Sequence, residues 1–254
     1  MVALYHAVIY KPLLNFLFFL YQTIAFEDLG VAIIFFTLFI RLVLWPIFAK
    51  STRHNLLMQR LQPEVKKIQV SLKNDRAKQG EAMMALYKKH RVNPFSGFFL
   101  LLIQLPILIA LFQISLRIVR PEPLSDELYA PTGFDQTSRI HTSLFGLIDL
   151  TNPSILLVAL AALAQYFQAK LSLPKTVAGR ESSPAERVGR QMVYLAPLLT
   201  LIFLFRLPAA LGLYWLTTSL VSIVQQLYVA REAALKPHGE TTRLRKGNTR
   251  DDGI

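Results

Sequence analysis

The sequence predicts an all-α integral membrane protein in which five transmembrane helices surround a cytoplasm-open hydrophilic groove, with an N-terminal interfacial helix and a cytoplasmic helical hairpin added. Three observations carry this prediction. Hydrophobic residues make up 53% of the 254 and charged ones 17%, with a mean hydropathy of +0.38, which sets the chain apart from ordinary soluble domains. Apolar stretches of the length needed to cross about 30 Å of hydrocarbon recur along it. One of them carries a lone arginine, whose cost in lipid demands a polar surround.

The first unit is residues 1–26. Positions 3–25 are apolar, but Lys11, Asn15 and Gln22 recur on nearly one helical face, with Pro12 and three tyrosines nearby. That pattern favours a helix lying in the membrane interface, a sixth span being the alternative. A signal peptide is disfavoured, because no basic segment precedes the apolar run and no small-residue cleavage pattern follows it.

Residues 27–233 form the core. Its spans are read as Gly30 to Phe48, Pro94 to Val119, Pro153 to Ala169, Met192 to Phe205 and Ala209 to Ala230. The fourth is short and stops at Arg206-Leu207-Pro208, where proline's missing N–H and ring clash end a helix. Between the first two spans, residues 50–93 place Leu57, Leu61, Val65, Ile68 and Leu72 at intervals of three or four, the period of an amphipathic helix. A second arm with Met83, Leu86 and Tyr87 makes this a hairpin turning around Asn74 to Gly80, with Pro63 in the first turn or at a kink. A solvated basic loop with marginal helices is the alternative. Residues 234–254 are a basic tail, and Pro237 to Ile254 reads as disordered.

Orientation follows the basic residues. Eleven Lys and Arg lie in 50–93, five in 170–190 and six after Ala230, whereas the opposite side holds four, Lys11, Arg117, Arg120 and Arg139. The hairpin and the C-terminus therefore face the cytoplasm. This topology accounts for most of the net charge of +12 without a specific nucleic acid as ligand; anionic headgroups or ribosomal RNA are attracted only by general electrostatics. No cysteine is present, which excludes thiolate zinc and a cysteine nucleophile, and all five histidines lie outside the spans. No acid–base set, metal cluster or glycine-rich phosphate loop is found, so neither an enzyme nor a cofactor is expected.

Arg41 is eleven residues into the first predicted span of about nineteen, near mid-bilayer at 1.5 Å per residue. An arginine there costs roughly 2.5 to 3.5 kcal/mol on insertion scales, so it must face protein or water. No Asp or Glu lies in any of the five spans, which leaves hydrogen bonds to carbonyls or, better, a hydrated cavity. Helix 5 presents Tyr214, Thr218, Ser222 and Gln226 at i+4 on one face, flanked by Trp215, Ser219 and Gln225. Gln165 and Gln168 near the end of helix 3, Gln104 in helix 2 and Thr37 one turn before Arg41 add to the polar side. Runs such as Val31 to Phe36 and Ile155 to Ala164 make the outer ends apolar. A polar groove is expected, open inward and closed outward, although Ser/Thr packing between helices explains the helix 5 stripe as well.

These residues resemble the YidC/Oxa/Alb-type membrane protein insertases, from about Tyr5 to Arg231. The resemblance rests on Gly30-Val-Ala-Ile-Ile-Phe leading to Ile40-Arg41-Leu42 and Pro46, on Leu61-Gln-Pro63-Glu64, and on Leu86-Tyr-Lys-Lys with Val92-Asn93-Pro94. It continues through Gln104-Leu-Pro106-Ile and Leu207-Pro-Ala-Ala-Leu-Gly-Leu-Tyr214-Trp215 to Gln225-Gln226. It implies a non-enzymatic insertase and chaperone of the plasma or inner membrane whose groove arginine, Arg41, receives the polar flank of a nascent membrane protein while Trp215 touches it. It implies the ribosome and the Sec translocon as further partners, and the lipid bilayer as the acceptor of apolar segments. Residues 1–26 leave no room for the large extracytoplasmic domain of some Gram-negative relatives, and the short tail departs from those that bind ribosomes. A small anionic-solute transporter or channel is the rival reading, since an intramembrane arginine also suits such a solute; unequal helices without evident repeats count against it.

Overall fold

The computed structural model describes residues 2–93, 96–118, 127–129, 140–173 and 184–235. Pro94, Val119, Arg120, Arg139 and the tail from 236 to 254, with its expected disorder, lie outside the described residues.

A continuous helical rod opens the chain, as α1 (Val2–Tyr5), a π-helical turn (His6–Tyr10) and α2 (Lys11–Thr23). From Ala3 to Thr23 it is long and apolar enough to cross a membrane unaided. The polar residues that suggested an interfacial helix include one turned inward. Asn15 is buried, donating to the carbonyls of Lys11 and Glu127 at 2.7 and 3.1 Å and accepting from the Tyr129 amide at 2.5 Å. Leu14, Leu17, Phe18 and Tyr21 fill the rest of the inward face.

After a turn through Phe26 and Glu27, both at positive φ, α3 (Leu29–Val43) begins where the Asp28 carboxylate accepts from the Val31 amide. The predicted span to Phe48 is interrupted. The chain bends by 67° at Leu44 into α4 (Trp45–Ser71). Pro46 explains the break, since it lacks an N–H for the preceding turn and its ring collides with that turn's carbonyl. Arg41 consequently sits in the last turn of a 15-residue helix, not the middle of a nineteen-residue one.

The expected hairpin forms, with different bounds. α4 runs unbroken through Pro63, and α5 (Arg76–Lys89) starts at an Asp75 cap, so Gly80 lies inside the second arm and not in the turn. Leu61, Val65, Leu86, Tyr87 and Val92 form a core of their own between the arms, separate from the main one. The remaining apolar helices are α6 (Ser96–Ile118), α7 (Ile155–Leu171), α8 (Pro184–Leu204) and α9 (Ala209–Leu235). α8 begins eight residues before the predicted Met192, and its turn into α9 falls at the predicted Arg206 to Pro208.

A two-stranded antiparallel hairpin, β1 (Ser143–Leu144) with β2 (Ile148–Asp149), covers the start of α3. A Cβ on Gly30 would lie 2.5 Å from Leu144 Cδ1 and 2.9 Å from its Cα, so only glycine allows that approach. At this end Ala32, Ile33, Phe36, Ile114, Leu150, Leu157, Val158 and Ala209 to Leu211 pack with the N-terminal rod into one continuous apolar core. The polar part of the molecule lies at the other end.

Candidate functional site

A cleft of about 350 Å³ is enclosed by five helices on the side toward the α4–α5 hairpin. α3 supplies Arg41, α6 supplies Leu100 and Gln104, and α7 supplies Gln165 and Gln168, with Ser172 just past its end. α9 contributes Trp215, Thr218, Ser219, Ser222, Gln225 and Gln226, most of one polar face. The bend at Leu44 swings the start of α4 across as a fifth wall carrying Phe48, Ser51, Thr52 and Asn55.

Of the residues singled out from the sequence, Arg41, Gln104, Gln165, Gln168, Trp215, Thr218 and Ser222 all line this space. Tyr214 does not. It is 2% exposed and stands behind the wall, its hydroxyl accepting from the Gln104 side-chain amide. It holds Gln104 and does not border the cleft, because i+4 spacing over α9 leaves the residue nearest the packed end inside the core. Gln165 is likewise tied, accepting from the Thr200 hydroxyl on α8. The α4 wall went unrecognised in the sequence because those residues follow the apolar run; Pro46 is the signal that turns them inward.

Arg41 is 6% exposed. Its guanidinium carbon lies 4.2 Å from the centre of the Phe48 ring, a cation–π stack that bridges the helix break. Among the described residues it makes no ion pair, and its Nη1 has no hydrogen-bond partner within the protein. Ser51 Oγ and Gln226 Oε1, of two residues on the same cleft, are equally unmatched. Buried polar groups are rarely left so, and these lie within a cleft lining otherwise made largely of amide and hydroxyl side chains. Gln225 is more settled, donating to the Trp45 carbonyl at 3.2 Å and closing the cleft over the break.

Exposure varies around the lining. Arg41, Ser219 and Ser222 are buried, Gln168, Thr218 and Gln226 half-buried, and Asn55 exposed. A narrower space of about 60 Å³ continues from Thr52, Asn55, Ser172 and Gln226 to Gln59 and Ala230, toward the hairpin. In the opposite direction lies the apolar core. No group of acids, histidines or cysteines that would hold a metal occurs among the described residues.

Comparison with known proteins places the chain in a family. The family model described as 60Kd inner membrane protein matches residues 19–236. The membrane protein insertase YidC of Francisella tularensis subsp. novicida (strain U112) is 35% identical over 202 residues, which is 80% of this chain and 32% of that protein. The YidC of F. tularensis subsp. holarctica (strain LVS) matches to the same extent. The chain thus spans about a third of the length of the curated relatives it matches. A crystal structure of an active YidC insertase with its first transmembrane domain resolved aligns with a TM-score of 0.56 and 26% identity, over 88% of this chain and 46% of that one.

Proposed function

Because the chain belongs to the 60Kd inner membrane protein family, we propose that it is a membrane protein insertase and chaperone that receives hydrophilic segments of nascent membrane proteins in the Arg41 cleft. The observation that carries this reading is a buried guanidinium that has no carboxylate partner among the described residues and lines a cleft walled largely by amide and hydroxyl side chains. In this reading the five core helices cross the inner membrane, with the hairpin and the C-terminus cytoplasmic, so that the cleft faces the source of new polypeptide. The length of the N-terminal rod and the inward turn of Asn15 support its crossing as well.

The mechanism is physical and needs no cofactor. A client's polar tail enters from the hairpin end and replaces water around the cleft's amides and hydroxyls. A carboxylate on that tail about 4 Å from Arg41 gains roughly 4 kcal/mol at an effective dielectric near 20, before desolvation is subtracted. The client's apolar segment then moves sideways into lipid, and its burial drives the tail outward. Arg41 must hold weakly, since a tightly bound tail would stay. Ribosomes and a Sec translocon are the partners that would deliver clients to the hairpin side.

Vesicles containing the purified protein test this with a single-span client whose translocated tail is acidic. If about a third of that Coulombic gain survives desolvation, Arg41→Ala slows insertion about tenfold, since 1.36 kcal/mol is a factor of ten. Arg41→Lys retains much of the rate. Equal insertion by wild type and Arg41→Ala rejects the charge role, and uptake of a labelled small anion without a protein client supports the transporter instead.

A further inference from the structure

Arg41 and Phe48 stand seven residues apart on two different helices, on either side of the bend at Leu44. Both are buried and both border the cleft, so an aromatic face is spent on a cation where an aliphatic side chain would close the wall equally well. A guanidinium stacked on a ring has its flat face covered and its N–H donors directed outward in its own plane. The ring also replaces some of the solvation that the cation loses by burial. Nη1 is buried and left unmatched, whereas a carboxylate partner would have consumed it.

We propose that Phe48 is a positioning residue for Arg41. Its ring restricts where the guanidinium can sit beside the cleft and thereby sets the preference for clients with acidic tails. This inference rests on the insertase reading. It adds a residue that the sequence gave no reason to single out, in the first turn of α4 and beyond the predicted polar stripe. It also ties the bend to recognition, because only a helix broken near Leu44 brings position 48 back over position 41.

Two measurements on the full chain decide it. In vesicles, insertion is timed for paired single-span clients whose tails carry two aspartates or two asparagines, and the ratio of the two rates is read. Phe48→Leu is expected to lower that ratio by about two- to tenfold, the range of a partly desolvated cation–π contact, and Phe48→Tyr to restore it. In detergent micelles, the side-chain protons of Arg41 are expected to show an upfield ring-current shift that Phe48→Leu abolishes and Phe48→Tyr keeps. Overturning results are an unshifted Arg41 in the wild type, an undiminished ratio in Phe48→Leu, or an equal fall in both variants. A wild type indifferent to tail charge would reject the insertion mechanism, while the micelle measurement still judges the stack.

Discussion

Single residues on this protein carry charge in two contrasting ways. Arg41 is a buried cation without an acidic partner among the described residues, whereas Glu127 is well matched, accepting from Arg117 Nε at 2.7 Å and from the Tyr10 hydroxyl at 2.8 Å. Burial alone would raise the Glu127 carboxyl, but those two donors and the Arg117 charge hold it below its ordinary value. A depressed carboxylate stabilises the fold above the unfolded-state pKa, and the contribution is lost as pH falls through the lower folded value. Docking of the N-terminal rod is therefore expected to weaken under acid, read as faster hydrogen exchange of α2 amides, and Glu127→Gln should remove that pH dependence. Matching exchange profiles for the two proteins would contradict it. The cost of Arg41 in lipid pointed to its importance from the sequence alone, while Glu127 offered no periodic or compositional signal, because its partners are 10 and 117 positions away.

Among the elements, the break between α3 and α4 does most to shape the site. Apolar length alone joined residues 30 to 48 into one span; Pro46 divides them, and the same proline brings Ser51, Thr52 and Asn55 to the cleft. Replacing it should show this directly. Pro46→Ala restores an N–H and removes the ring clash, so the bend is expected to open. The absence of native cysteines allows spin labels on Phe35→Cys and Leu57→Cys to report the α3–α4 distance. A lengthened distance with slower insertion is predicted, and an unchanged distance would assign the bend to tertiary packing. The hairpin was more legible, since Leu61, Val65 and Leu86 kept helical spacing and became its core. Its turn is shorter than the expected Asn74 to Gly80, because the Asp75 cap starts α5 at Arg76 and a glycine inside an exposed helix costs only about 1 kcal/mol.

Across the whole molecule the arrangement is asymmetric, with an apolar core beneath the β-hairpin at one end and a polar cleft that continues, narrower, toward the basic helical hairpin at the other. Hydropathy and charge made that asymmetry legible, and the spacing of polar residues on α9 located most of the cleft. Which residues border the space and which stand behind it, as Tyr214 does, depends on packing between helices distant in sequence, which no local pattern records. The asymmetry is what the insertase reading requires, since a polar tail is received in the cleft while the apolar segment leaves sideways into lipid and drives the tail across the apolar end. The most direct measurement is crosslinking of a ribosome-stalled client from a photoreactive residue at Trp215 or Thr218, with the exposed Phe203 on α8 as control. Client adducts are expected from both cleft positions, strongest while the polar tail is still crossing, with few from Phe203. Adducts from Phe203 alone, with none from Trp215 or Thr218, would contradict passage through the cleft.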